Sequence, residues 1–278
     1  MAAVLMAADT LLVGCGELGA DIGLRLAARG HEVIAIRRRA ELVPAPLRGL
    51  SADLTRELPD LPPLDLTHLV IALTARPRSE ESYRATYVDG MARALDALEA
   101  AGQVPRRAVL VSSTAVLGDS DPGALLDESS PCRPTDGPGR MLLEAEQLFA
   151  ARVSGGTVLR LSGLYGHGEP RLVDQVRRGE VTDPHRWTNR IHRDDAAAAA
   201  VHLLTRDDAP APLYLGTDDE PSLLGDVAAF VAGRIDAPAP PPADPALGHG
   251  KRLDNGLLRA SGWVPTYPTY REGYGAQL

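Results

Sequence analysis

Cysteine is nearly absent: Cys15 and Cys132 are the only two in 278 residues. One pair cannot build a disulfide scaffold, and it does not supply four zinc ligands. Aromatic residues make up only 4%, so Ala, Leu and Val must carry the core. No apolar stretch approaches the roughly 20 residues of a membrane span; Leu69–Leu73 and Ala196–Val201 are typical of the longest. Met1–Thr10 lacks a basic start and holds Asp9, which opposes a secretory leader. Excess positive charge is also missing. Lys plus Arg number 29 against 37 Asp plus Glu, a net charge of -8. That balance disfavours an extended phosphate-binding surface and so a nucleic-acid partner. A cytoplasmic protein, with no membrane and no nucleic acid among its partners, is the expectation.

What is present alternates. Thr10–Gly14, Glu32–Ile36, Leu69–Leu73, Ala108–Ser112 and Thr157–Leu161 read as buried strands. Leu18–Ala28, Glu81–Ala101 and Met141–Ala151 have helical spacing, with Tyr83, Tyr87, Met91, Leu95 and Leu98 on one face of the second. Strands alternating with such helices predict an α/β fold, a Rossmann-type doubly wound parallel sheet. The first domain is expected over 1–165. A smaller α/β lobe covering the substrate is expected over 166–278, the two forming one compact unit. In the lobe, Leu172–Arg178, Asp194–Leu204, Leu223–Ala232 and Lys251–Ser261 read as helical, and Leu213–Leu215 as a strand. Proline-rich Ala237–Pro245 reads as an extended surface connection, and Tyr267, Tyr270 and Tyr274 as packing for the chain's end.

Gly14-Cys15-Gly16-Glu17-Leu18-Gly19 leaves a strand and opens a helix, the setting in which G-x-G-x-x-G binds a dinucleotide. Gly14 permits the tight turn, Gly16 leaves room for a pyrophosphate, and Gly19 lets the helix approach the sheet. The helix N-terminus then offers N–H groups to the anion. Cys15 is either an oxidation-sensitive thiol or a small residue directed at the sheet. The second strand lacks the terminal carboxylate that would bind a ribose 2′-hydroxyl; it ends in Arg37, Arg38 and Arg39. Guanidinium groups there suit a 2′-phosphate, so NADP is expected over NAD. Asp53, followed by Leu54 after a weak third strand, is either an acceptor for the adenine amino group or a helix cap.

Further segments resemble the short-chain dehydrogenase/reductase superfamily, on its extended epimerase/dehydratase-like side. Ser112-Ser113-Thr114-Ala115-Val116-Leu117-Gly118 resembles its S-S-x-x-V-Y-G segment. Leu159–Gly166 resembles its L-R-x-x-x-x-Y-G segment, and His192-Arg193-Asp194-Asp195 its H-x-D-D motif. The Lys251–Asn255 and Gly262–Tyr274 segments resemble an atypical bacterial branch. This resemblance implies that Leu73, Thr74 and Ala75 line the adenosine and nicotinamide-ribose edge, with Ser112 beside them. It implies that Leu161, Ser162 and Gly163 approach the nicotinamide. It places Ser113 at the catalytic hydroxyl position, where the alternative is a strand-end hydroxyl capping backbone. By analogy, the helices of 81–101 and 141–152 imply a homodimer.

The family's Y-x-x-x-K pair is missing. Aligning Glu146-Gln147 with the family helix puts Pro138 at the Tyr position and Leu142 at the Lys position. Neither exchanges a proton. Substitutes are Arg140, which can hold an anion but not act as a base, Tyr165 and His167 after the sixth strand, Tyr83 and Tyr87, and His192, which titrates near neutral pH. Each has a structural alternative: surface, core packing, or a histidine bonded to a neighbouring loop. Asp194 and Asp195 read first as acids at a helix start. His185, His202 and His249 lack metal-ligand spacing, so no metal is expected. Together these features imply an NADP-dependent oxidoreductase or epimerase/dehydratase-like enzyme on a small polar metabolite, with a non-standard proton donor. The alternative is a catalytically silent NADP(H)-binding sensor or partner-binding protein.

Overall fold

The computed structural model describes residues 8–119, 124–168 and 171–278; of the Met1–Thr10 segment, residues 1–7 lie outside the described residues. The chain divides into two interleaved units. One comprises 1–116, 134–160 and 197–213; the other 117–133, 161–196 and 214–278.

The first unit is built on a parallel sheet of seven strands, whose last two strands run on into residues of the second. In chain order these are β1 (Ala8–Val13), β2 (Val33–Arg37), β3 (Arg48–Ser51), β4 (Leu64–Ile71), β5 (Arg107–Ser113), β6 (Thr157–Leu161) and β7 (Leu213–Gly216). The spatial order is β7-β6-β5-β4-β1-β2-β3. Leu12 is level with Ala35 on one side and Val70 on the other. These strands read as continuous apolar runs because both faces are covered. Aliphatic residues such as Leu11, Leu69 and Ile71, with Met91 and Phe149 from helices, form the core.

Helix α1 (Glu17–Ala27) follows β1, and Ile22 and Leu26 are its buried anchors. The expected helix over 81–101 is not continuous. It comprises α2 (Glu80–Tyr83), a wide π segment Arg84–Asp89, and α3 (Gly90–Ala100). The wide turn inserts one extra residue and rotates the apolar stripe. Val88 and Met91 therefore face the core while Tyr83 and Tyr87 are only half-buried, their rings 5.1 Å apart. Helix α4 (Gly137–Arg152) starts at Asp136, whose carboxylate accepts from the Gly139 N–H at 2.7 Å.

In the second unit, short strands Gly163–Tyr165 and Arg190–His192 pair in parallel. Helices α5 (Arg171–Arg177), α6 (Arg193–Thr205, which runs on into the first unit), α7 (Leu224–Arg234), α8 (Gly256–Ala260) and α9 (Tyr270–Gln277) follow in order. Tyr165, Val173, Val227, Val231, Tyr270 and Tyr274 share one apolar cluster. The expected helix over Lys251–Ser261 is halved. Asn189 accepts from the Leu253 N–H and donates to the Lys251 carbonyl, both at 2.9 Å, so that segment stays extended. It becomes the strand Arg252–Leu253 beside Leu125–Leu126, and only Gly256–Ala260 is helical. Ala237–Asp244 has neither helix nor strand. Among the described residues, no helix is long and apolar enough to cross a membrane.

Candidate functional site

The glycine loop lies at the carboxyl end of β1. Gly14 has φ +95°, and a Cβ there would stand 2.6 Å from the Ala72 carbonyl oxygen. A Cβ on Gly19 would meet the Gly14 carbonyl at 2.2 Å. These two glycines are demanded by packing. Gly16 is different: the nearest atom to its Cβ would be Thr74 Oγ1 at 3.8 Å. Packing tolerates a side chain at Gly16, so the open space there is available to a ligand. Gly16 is also the N-cap of α1, and no side chain caps the helix. The loop thus presents an uncapped helix N-terminus to an open cradle, which suits a pyrophosphate.

Cys15 is buried. Burial pushes its thiol pKa up, and the neighbouring Arg37 charge only partly opposes this. It is a packed small residue, not an activated thiolate. Glu17 and Leu18 open the helix beside it. Arg37 donates to the Leu42 carbonyl at 2.9 Å, and Arg38 and Arg39 are exposed. Asp53 accepts from the Thr55 N–H at 3.1 Å and hydroxyl at 2.7 Å, a local turn that lowers its pKa. Leu54 and Ala75 are buried, Leu73 is half-buried, and Thr74 is exposed. Tyr87 is half-buried against this region, and the loss of water around its hydroxyl pushes the pKa up to about 12.

At the end of β5 the two serines diverge. Ser112 is buried and donates to Glu146 at 2.6 Å. Glu146 in turn receives Arg160, with Nη2 at 2.7 Å. Ser113 Oγ accepts from the Ala115 N–H at 3.2 Å and opens the turn Thr114–Val116. Its own proton is left to donate elsewhere. Removing Arg160 would strand the Glu146 carboxylate in a buried setting. Arg160→Met is therefore expected to destabilise the fold by about 3–5 kcal/mol. Urea unfolding reads this out, and a change below about 1 kcal/mol would contradict it.

Pro138 is in the first turn of α4, where proline fits because its missing N–H is not needed. Leu142 is buried one turn later. Arg140 pairs with Glu80 at 3.0 Å on the surface.

In the second unit, Tyr165, His192 and Tyr267 form an aromatic stack. His192 lies 3.9 Å from the Tyr267 ring centroid and 5.3 Å, edge-on, from Tyr165. The His192 Nδ1 accepts from the Asp194 N–H at 3.2 Å, so its proton belongs on Nε2, which faces Gly166. Burial lowers its pKa. Tyr165 is buried, its hydroxyl donates to the Thr269 carbonyl at 3.5 Å, and burial raises its pKa. His167 is more exposed, with Nε2 3.5 Å from Asp194 Oδ1. Leu161 and Ser162 are buried, with Ser162 donating through N and Oγ to the Gly216 carbonyl, and Gly163 is exposed.

Two acids carry more than the sequence reading assigned them. Asp195 is not simply a helix-start acid. It is buried and accepts from the Thr266 and Tyr267 N–H groups at 2.7 and 2.9 Å, holding Tyr267 against His192. Asp218 escaped sequence reasoning altogether. It is 1% exposed, and its carboxylate oxygens lack a well-aligned hydrogen-bond partner among the described residues, the Glu220 N–H lowering its pKa only in part. Burial pushes its pKa up to about 8, with the Arg190 charge opposing. No local pattern distinguishes it from Asp219. Among the described residues, no group of three or more His, Cys, Asp or Glu could hold a metal ion.

Comparison with known proteins adds three findings. A profile of the NAD dependent epimerase/dehydratase family matches residues 11–215. The chain is 30% identical to a 3-diazoavenalumate denitrifying reductase from a Streptomyces species, over 99% of each chain. Among solved structures, an NAD-dependent epimerase/dehydratase from Methylobacillus flagellatus is 36% identical with a TM-score of 0.80, covering 97% of each chain. A human epimerase family protein with NADPH shares the fold at 22% identity, with a TM-score of 0.75, over 95% of this chain and 97% of that one.

Proposed function

The chain belongs to the NAD dependent epimerase/dehydratase family, and from that membership we propose that it is an NADP(H)-dependent oxidoreductase of a small polar metabolite. The observation that carries this reading is the open cradle at Gly16 followed by Arg37 and Arg38 at the end of β2. Gly14–Gly19 would hold the pyrophosphate, Arg37 and Arg38 the 2′-phosphate, and Asp53, Leu54, Leu73, Thr74 and Ala75 the adenosine side. Ser112 at the β5 end and Leu161, Ser162 and Gly163 after β6 belong to the nicotinamide side of the same proposal. The dinucleotide, when bound, supplies or accepts a hydride. The full-length likeness to a named reductase supports reduction over epimerisation.

The proton must come from a group other than Pro138 or Leu142. Ser113 has a hydroxyl proton to offer to the reacting oxygen. Tyr165 and His192 are packed into the aromatic stack and serve best as its frame. His167 with Asp194 is the more exposed imidazole–carboxylate couple, and we assign it the proton transfer. His167→Gln should lower kcat by about 100-fold with NADPH affinity unchanged. An unchanged kcat would remove His167 from the role.

NADPH consumption across carbonyl, sugar-nucleotide and diazo-bearing compounds tests turnover. Inactivity throughout, with NADPH still bound, would favour the second reading: a silent NADP(H)-binding protein. Pro138 and the buried Leu142 are the observations behind that alternative. The homodimer belongs to the proposal too, and light scattering of the purified chain tests it.

A further inference from the structure

The first unit has a cavity away from the glycine loop. The loop lies at the carboxyl end of β1. The cavity opens near the start of β5, where Thr10, His68 and Arg107 are level in the sheet register. Its volume is about 300 Å³. That is at the lower end of small-molecule pockets, roughly 300–1,000 Å³.

The lining is cationic in a chain of net charge -8. Arg106, Arg107 and Arg206 contribute three guanidinium groups, against Asp207 as the lone carboxylate of the wall. The Asp207 backbone carbonyl, at 3.4 Å, receives Arg107. Arg206 is held by Asp208 at 2.6 Å, which fixes its position and offsets part of its charge. Arg106 is exposed and makes no side-chain hydrogen bond or ion pair among the described residues.

Two histidines stiffen the wall. His31 and His68 meet edge to face, with ring centroids 4.6 Å apart. His31 is fixed by Asp9 at 2.9 Å, and His68 faces the Thr10 hydroxyl at 3.4 Å. Burial and the neighbouring cations lower the His68 pKa to about 4, so it stays neutral at pH 7 and the arginines supply the charge.

We infer that this cavity is a binding site for a small phosphorylated metabolite, with Arg106 and Arg107 holding its phosphate. Guanidinium groups match phosphate oxygens in charge and in planar fork geometry. The cavity volume leaves room for an organic portion beside the phosphate. The site is independent of the dinucleotide cradle and does not rest on the proposed reaction.

The test uses the full chain saturated with NADPH. Inorganic phosphate, glycerol 3-phosphate and citrate are titrated by calorimetry and thermal unfolding, at ionic strength matched with sodium chloride. The expected result is saturable binding of both phosphate compounds, tighter for the ester, and a rise in Tm beyond the chloride control. Arg106→Gln, at an exposed position, should weaken that binding by about tenfold or more while leaving NADPH affinity unchanged. Tighter binding of citrate than of the ester would overturn the phosphate assignment. Wild-type behaviour matching chloride, binding retained in full by Arg106→Gln, or displacement of NADPH by phosphate would each overturn the site.

Discussion

Gly16→Val is expected to abolish dinucleotide binding while leaving the fold intact. The backbone at Gly16 is at φ -78°, which any residue adopts, and the nearest atom to a new Cβ is Thr74 Oγ1 at 3.8 Å. A Cβ there therefore meets no protein atom that must move, and the one neighbour within 4 Å is a side-chain hydroxyl. Valine would project into the space where a pyrophosphate approaches the uncapped end of α1. Losing two charge-assisted hydrogen bonds there amounts to about 3 kcal/mol or more, a hundredfold or greater loss of NADPH affinity. Gly14→Ala and Gly19→Ala are the contrasting controls. Their Cβ atoms would meet backbone oxygen at 2.6 and 2.2 Å, so they should lower Tm as well. Calorimetry and thermal unfolding on the three variants separate the cases. Wild-type NADPH affinity in Gly16→Val would remove the cradle from the account.

The second large effect concerns Asp218 and pH. Its folded pKa is raised to about 8, chiefly by burial, against about 3.9 in an unfolded chain. Between these values the folded protein holds a proton that the unfolded chain has released. Unfolding then releases a proton, so stability falls as pH rises. This contribution is fully present below about pH 4 and is lost as pH climbs through about 8, with a slope near 1.4 kcal/mol per pH unit. Asp218→Asn keeps the shape and removes the titration. The stability difference between wild type and Asp218→Asn should therefore swing toward the asparagine variant by several kcal/mol from pH 4.5 to 8, read by urea unfolding. A difference that stays flat across that range would show that Asp218 ionises normally in the fold.

Local pattern revealed much of this molecule in advance. The strand–glycine–helix start at Thr10–Ala28, the arginine run after β2 and the apolar strands follow from spacing within a few residues, which is where periodicity and turn chemistry act. The π segment at Arg84–Asp89 was hidden because an inserted residue leaves no mark on composition. The Ser112–Glu146–Arg160 network, the Asp195 bonds to Thr266 and Tyr267, and the buried Asp218 were hidden for a different reason. Their partners, or their burial, are decided by chain segments tens of residues away. Asn189 shows the same effect in reverse, since its bonds to Lys251 and Leu253 hold extended a segment whose own spacing is helical.

As proposed, this cradle holds NADPH, with Arg37 and Arg38 on its 2′-phosphate. Calorimetric affinities of wild type and of Arg37→Ala/Arg38→Ala for NADPH and NADH test it most directly. Wild type should bind NADPH at least about tenfold more tightly than NADH, and the double variant should lose about 1.5 kcal/mol or more toward NADPH alone. Equal wild-type affinity for the two dinucleotides, or no binding of either, would contradict it.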